Sequence, residues 1–113
     1  MLSPAALTPA EAASRLLELS SDVRAALLLD DRGVPAAVAG ASSELVDDAR
    51  TLLTAADRAA PEGRPEEIEV QFPRGAVYAV RRGGWILVSV AGRGSLSSLV
   101  RWDMRSVLSE LAE

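Results

Sequence analysis

Two nearly unbroken apolar runs, at residues 23–29 and 85–91, constrain the fold more than any other feature of this chain. Both are short and bounded by turn-forming residues, so each predicts a strand that is covered on both faces. Such strands lie in the interior of a sheet and need helices above and below them. The chain is therefore expected to form layers, with helices packed on both sides of one sheet.

Three segments with apolar residues at helical spacing supply those helices. A small hydroxyl residue precedes each segment and is expected to cap its free N–H groups. The predicted caps are Thr8, then Ser42 or Ser43, then Ser95. Thr8 and Glu11 also have the spacing of a capping box, with Pro9 suited to the first helical position.

Three further strands are shorter or more polar than the two apolar runs. Pro35 cannot donate to a ladder, so the strand at residues 34–39 is expected at an edge. Residues 67–72 alternate between polar and apolar and predict the other edge, and a hairpin loop at 73–75 leads into residues 76–81. A three-residue loop would put Ile68, Val70 and Phe72 on the face of Tyr78, with Glu67 opposite Arg81.

The predicted fold class is α+β, a two- or three-layer α/β sandwich with element order αββαβββα. Its five-stranded antiparallel sheet has the order 2-1-5-4-3, with the middle helix on one face and the other two helices on the opposite face. A length of 113 residues fits one domain. Residues 1–8 are predicted to be a flexible lead, and residues 9–113 the domain itself.

The chain contains no histidine, cysteine or lysine. The usual general base near neutral pH, the thiolate nucleophile and the phosphate-binding lysine are therefore missing. The turn at residues 92–95 lacks the full spacing of a nucleotide-binding loop. The pairs Asp30-Asp31 and Asp47-Asp48 lack the alternating ligands of a calcium loop. These absences predict that the protein is not an enzyme and has no cofactor or metal.

Charge and composition also limit the partners and the location. A net charge of −4 argues against nucleic acid as the main partner. No apolar run approaches the length of about 18 residues that a membrane span needs. A chain without cysteine fits a reducing compartment, so a cytoplasmic location is expected.

The strand at residues 67–72 leaves a sheet edge that can be used in two ways. Its glutamates and the flanking Pro65 and Pro73 can block pairing with another chain. Alternatively, the edge pairs with its own copy about a two-fold axis. The alanine-rich arc of the middle helix is wider than one sheet face requires, which favours the second use, but the residues alone leave both open.

Residues 22–38 combine an apolar strand, the acidic–glycine turn Asp30-Asp31-Arg32-Gly33 and a return strand of small residues. Together with the strand, glycine-bearing turn and last helix of residues 85–111, they resemble the Roadblock/LC7 domain family, in its bacterial GTPase-regulator type. The resemblance spans roughly residues 9–112. It implies a homodimer, or a dimer with a related Roadblock subunit, that acts as a non-catalytic platform to bind and regulate a small Ras-like GTPase.

The resemblance also implies which residues make these contacts. The dimer interface would consist of Ala49, Leu52, Leu53, Ala56, Ala60, Ile68, Glu69, Val70, Gln71 and Phe72. The helix face offered to the GTPase would consist of Asp47, Arg50, Thr51, Thr54 and Arg58. Symmetric pairing would bring copies of Glu67 and Glu69 close together, which costs energy unless the register is offset or Arg81 compensates.

Two other functions fit the same sequence. A structural scaffold or tethering subunit would bind other proteins with no effect on GTP hydrolysis. A small-molecule sensor of profilin-like or PAS-like architecture would need a cavity lined by Tyr78, Trp85 and polar groups. Leu99 and Trp102 are expected to pack against the first helix, or else to form a second contact patch.

Overall fold

The structure is a computed structural model that describes residues 6–40, 43–60, 63 and 65–111. The elements are α1 (Pro9–Leu19), β1 (Val23–Asp30), β2 (Pro35–Ala39), α2 (Ser43–Ala59), β3 (Glu67–Phe72), β4 (Gly75–Arg82), β5 (Trp85–Gly92) and α3 (Ser97–Ser109). The predicted element order and the antiparallel sheet order β2-β1-β5-β4-β3 are confirmed.

The described part of the lead is attached to the other end of the chain. The N–H of Leu7 donates to the carbonyl oxygen of Glu110 at 2.7 Å. Residues 1–5 of the predicted lead and the alternative cap Ser42 lie outside the described residues. The flexibility of the lead and the domain bounds stay predictions.

The helices α1 and α3 begin in different ways. At α1 the predicted capping box is confirmed, because the N–H of Glu11 donates to Thr8 Oγ1 at 3.2 Å and the N–H of Thr8 donates to Glu11 Oε1 at 3.1 Å. At α3 the cap position is Leu96, and no side chain caps it. The prediction for Ser95 is wrong, because its Oγ lies 3.0 Å from the hydroxyl of the buried Tyr78.

The core has two layers, one on each face of the sheet. The strands β1 and β5 are buried almost throughout, as the apolar runs predicted. One layer joins α1 and α3 to the sheet through side chains that include Leu16, Leu28, Tyr78, Leu87 and Met104. The other lies under α2 and includes Leu27, Leu29, Leu53, Ile68 and Val88. The predicted placement of the helices is therefore confirmed.

The register of β3 on β4 differs by one residue from the prediction. Phe72 pairs with Gly75 across a two-residue turn, so Glu67 lies opposite Val80 instead of Arg81. Gly75 pairs with Phe72 and with Gly92 on β5, so it belongs to the ladder and not to the loop, and a Cβ at this position would collide with the carbonyl oxygen of Ala91. The predicted three-residue loop, the face shared with Tyr78 and the Glu67–Arg81 pair are therefore wrong.

This register directs Arg81 towards α2. Its Nη1 donates to Asp57 Oδ1 at 2.7 Å and its Nη2 to Asp57 Oδ2 at 3.1 Å, while Nη1 also donates to the carbonyl oxygen of Pro65 at 3.0 Å. The Arg81 side chain is only 12% exposed. A two-point arginine–carboxylate pair fixes direction as well as distance, so it holds the C-terminal half of α2 on the sheet.

Replacing Asp57 with alanine is expected to lower the free energy of unfolding by about 2 kcal/mol, because it leaves a largely buried guanidinium without its carboxylate. The exposed Asp47 on the same helix is the matched control, and Asp47→Ala is expected to change stability by less than about 0.5 kcal/mol. Urea unfolding followed by circular dichroism measures both. Equal effects of the two substitutions would contradict the anchoring role of Asp57.

Candidate protein-interaction surface

The strand β3 presents an unpaired edge. It ends the sheet order and pairs with β4 alone among the described strands. The N–H of Arg81 donates to the carbonyl oxygen of Glu66 at 2.7 Å. This bond shows that the backbone groups of Glu66, and of every second residue after it, point towards β4. Because alternate residues of an antiparallel strand direct their backbone groups to opposite sides, those of Glu67, Glu69 and Gln71 point away from β4. Such groups are a template for another strand.

One flank of α2 is occupied by contacts within the chain. Arg50 Nε donates to the carbonyl oxygen of Gly33 in the β1–β2 turn at 2.7 Å, and Asp57 binds Arg81 on the same flank. These contacts orient the helix about its own axis. The opposite flank, which carries Leu52, Ala55 and Ala59 at helical spacing, therefore points towards the end of the sheet where β3 finishes.

The sheet is incompletely covered beside that flank. Val77 pairs with Val70 on one side and with Val90 on the other, and all three are half-buried, while Phe72 is 52% exposed. We call this surface the α2–β3 patch and define it as Leu52, Ala55, Ala59, Val70, Phe72, Val77 and Val90. An apolar surface of this kind that borders an unpaired strand edge is a candidate site of protein association.

The residues predicted for the dimer interface fall into two groups. Ala49, Leu53 and Ile68 are buried in the core of the single chain. The predicted interface residues that are half-buried or exposed in the single chain are Leu52, Ala56, Ala60, Glu69, Val70, Gln71 and Phe72. Their role in a contact between copies stays a prediction, and the surface available for it belongs to the second group.

Four members of the α2–β3 patch were not among the predicted contact residues. Val77 and Val90 share this face with Val70 because the hairpin loop has two residues instead of three, which sets the register of β3 on β4. The sequence Phe72-Pro73-Arg74-Gly75 indicates the two-residue loop, since proline suits the second position of a type I turn and glycine the fourth. Ala55 and Ala59 are not among the α2 residues that were predicted to contact a second copy.

The five residues predicted to face a GTPase all lie on the exposed side of α2. The structure brings Arg50 and Thr54 into a cleft of about 190 Å³ that is also lined by Arg32 and Arg81. Thr51 Oγ1 donates to the carbonyl oxygen of Asp47 at 3.0 Å, a contact within the helix. Arg58 lies nearer the C-terminal end of α2. Binding of a GTPase by these residues stays a prediction.

The β1–β2 turn beside this cleft is held by Asp30. Its Oδ1 accepts from the N–H groups of Val34 and Arg32, both at 2.9 Å. The bond from Val34 has the largest effect and lowers the pKa of the Asp30 carboxyl below its ordinary value. The resulting stabilisation is present above the ordinary carboxyl pKa and is lost as the pH falls through the lowered value, so the turn is held at neutral pH.

The aromatic residues do not converge on a ligand site. Tyr78 and Trp85 share the α1–α3 face, but Tyr78 is fully buried and its hydroxyl is satisfied by Ser95. Leu99 is 52% and Trp102 63% exposed, so the prediction that they pack against α1 is wrong. Residues such as Val100 and Met104 form the inward stripe of α3 and leave this pair outside.

The part of the chain that the structure describes shows no group of three or more acidic side chains arranged to hold a metal ion. Within the same residues, no helix is long and apolar enough to cross a membrane.

Comparison with solved structures assigns the fold. The chain is similar to a Roadblock/LC7 domain from Streptomyces avermitilis, with 18% identity, 87% of this chain and 89% of that chain covered, and a TM-score of 0.71. It is similar to Myxococcus xanthus MglB with 16% identity, 90% and 83% coverage and a TM-score of 0.74. It is also similar to the gliding protein MglB from Thermus thermophilus with 21% identity, 98% and 96% coverage and a TM-score of 0.74.

No family profile matches the sequence, and no curated protein matches it. At these identities the likeness shows a shared fold. The fold is that of Roadblock/LC7 domains, as the resemblance of residues 9–112 predicted.

Proposed function

We propose that this protein is a non-catalytic homodimeric platform that binds and regulates a small Ras-like GTPase. The observation that carries the proposal is the continuity of the β3 edge with the α2–β3 patch. A single two-fold axis beside β3 would join the strands into one sheet and bring both patches under cover at once. Neither feature has a partner within the described part of one chain.

The chemistry of the patch suits a second copy. An isologous contact needs a surface that is complementary to itself, and a patch of small and branched apolar side chains meets this condition without matched charges. Ala55 and Ala59 allow a second helix to approach closely. Phe72, at the end of the strand, supplies the large apolar side chain that such interfaces favour.

A known protein with this fold also associates with itself. One of the similar structures is described as MglB with a tetrameric arrangement, so a protein of this fold self-associates. The resemblance to Roadblock/LC7 domains implies the GTPase. Regulation then requires that the platform bind one nucleotide state better than the other, because equal affinity for both shifts no equilibrium.

The platform would act by positioning and not by covalent chemistry. The exposed side of α2, with Arg50, Thr54 and Arg58, lies next to the β1–β2 turn that Asp30 holds. In a dimer this surface is present twice, side by side, and so forms a wide and rigid contact area. That geometry suits binding to the switch regions of a GTPase.

Phe72→Arg is expected to convert the dimer to a monomer, because it places a charge in the apolar surface of the proposed contact. Leu99→Arg is the matched control, since both side chains are 52% exposed in the single chain and only Phe72 lies in the patch. Light scattering across a concentration series measures the mass. We expect twice the chain mass of 11.9 kDa for the wild type and the control, and the chain mass for Phe72→Arg. A wild type that stays at the chain mass throughout contradicts the homodimer.

Binding to small Ras-like GTPases from the same genome tests the second half of the proposal. We expect the wild type to bind either the GDP form or the form with a non-hydrolysable GTP analogue at least about tenfold more tightly, and to change the hydrolysis rate. Arg50→Ala is expected to weaken this binding, while Glu18→Ala, at an exposed site on α1, leaves it unchanged. Stable binding with unchanged hydrolysis would favour a scaffold, and equal or absent binding would defeat the regulatory role.

A further inference from the structure

We propose that Arg101 and Arg105 on α3 neutralise the acidic side of the β3 edge and thereby allow an identical strand to pair with it. This inference rests on the homodimer proposed above and identifies the residues that decide whether β3 accepts its own copy. It concerns the opposite face of the sheet from the α2–β3 patch.

The side chains of Glu67, Glu69 and Gln71 all project from the edge towards the α3 face, because alternate residues of a strand share a face. Symmetric antiparallel pairing places residues of the two copies opposite each other on the same face. In a register centred on Glu69, this residue faces its own copy. Centring on Ile68 puts Glu67 opposite Glu69, and centring on Val70 puts Glu69 diagonal to its copy.

Every one of these registers brings carboxylates from two chains to cross-strand or diagonal distances, roughly 5–8 Å between Cβ atoms. Like charges at such separations oppose pairing. An edge that carries Glu67 and Glu69 without compensation would therefore reject its own copy, and this is the ordinary way in which edge strands avoid association.

The structure supplies the compensation from α3. Arg105 Nη1 donates to both oxygens of Glu67, at 2.8 and 3.0 Å. Arg101 Nη1 lies 3.5 Å from Glu67 Oε1, and its Nε lies 4.0 Å from Glu69 Oε1. Gln71 Nε2 donates to Glu69 Oε2 at 2.6 Å. Two positive charges thus lie against the two negative charges of the edge.

Two further observations favour α3 as the source of this compensation. Arg81, the other candidate, lies on the opposite face and is bound to Asp57. The guanidinium carbon of Arg105 lies 5.9 Å from the centroid of the Trp102 ring, a cation–π distance. The ring of the exposed Trp102 therefore lies beside the arginine that binds Glu67.

The test compares dimer dissociation constants at about 0.02 M and about 0.5 M salt, where screening is weak and strong respectively. The double variant Arg101→Gln/Arg105→Gln is expected to weaken the dimer by at least about tenfold at low salt, with most of the loss recovered at high salt. The control is Arg15→Gln/Arg93→Gln, which removes the same charge from exposed sites elsewhere and is expected to dimerise like the wild type.

Adding Glu67→Gln/Glu69→Gln to the Arg101/Arg105 double variant tests whether the arginines act by neutralising the charge of the β3 edge or only by holding α3 against β3. We expect this fourfold variant to dimerise like the wild type, since the charges that needed compensation are gone. If the arginines only brace α3 on β3, the fourfold variant stays as weak as the double variant, and the proposal is overturned. Wild-type affinity in the double variant at low salt would overturn it as well.

The wild type provides a test that depends on no substitution. A neutralised edge is expected to show less than about a threefold change in dimer affinity between the two salt concentrations. Tightening by about tenfold or more at high salt would show uncompensated repulsion and would overturn the neutralisation alone. A wild type that is monomeric at every concentration would instead overturn the homodimer itself.

Discussion

The close approach of Gly75 to the carbonyl of Ala91 determines the arrangement of the whole free side of the sheet. It makes Gly75 part of the β4 ladder and leaves a two-residue turn between β3 and β4. Because side chains alternate along a strand, a change of one residue in this turn would exchange the two faces of β3. The turn therefore decides which residues of β3 meet α2, which meet α3, and which backbone groups remain unpaired.

The two faces use arginine in corresponding ways. On the α2 face, Arg81 on β4 binds Asp57 and orients the helix so that its alanine flank points towards the half-buried valines of the sheet. On the α3 face, Arg101 and Arg105 reach the glutamates of β3. One pairing leaves an apolar patch beside the edge, and the other removes the net charge from the edge. Both outcomes would suit the proposed pairing of this strand with an identical copy.

Much of the fold follows from local sequence patterns. The apolar runs placed β1 and β5 in the interior of the sheet, Pro35 placed β2 at an edge, and Thr8 with Glu11 fixed the start of α1. The register of β3 was predicted wrongly although Phe72-Pro73-Arg74-Gly75 carries the pattern of a two-residue turn, because the backbone contact of Gly75 with β5 that confirms this turn exists only in the folded sheet. The cap of α3 was wrong for a similar reason, since Ser95 is used by Tyr78 from a distant strand.

The exposed strand edge of the candidate surface could be predicted from the sequence, whereas the long-range contacts beside it could not. The exposed edge followed from the strict alternation of residues 67–72, whereas the ion pairs to Arg101 and Arg105 join segments more than thirty residues apart and have no signature in either segment. The helix residues predicted for the contact include Ala49 and Leu53, which are buried in the single chain, because the rotation of a helix about its axis is set by its anchors. Here those anchors are the contacts of Arg50 and Asp57.

Amide hydrogen exchange across a dilution series tests the central claim most directly, because the claim concerns individual N–H groups of β3. The N–H of Glu69 points away from β4, while those of Ile68 and Val70 point towards it. If two copies join through this edge, the amide of Glu69 is protected at high protein concentration and exchanges freely on dilution, while Ile68 and Val70 stay protected throughout. Free exchange of the Glu69 amide at every concentration would contradict the account.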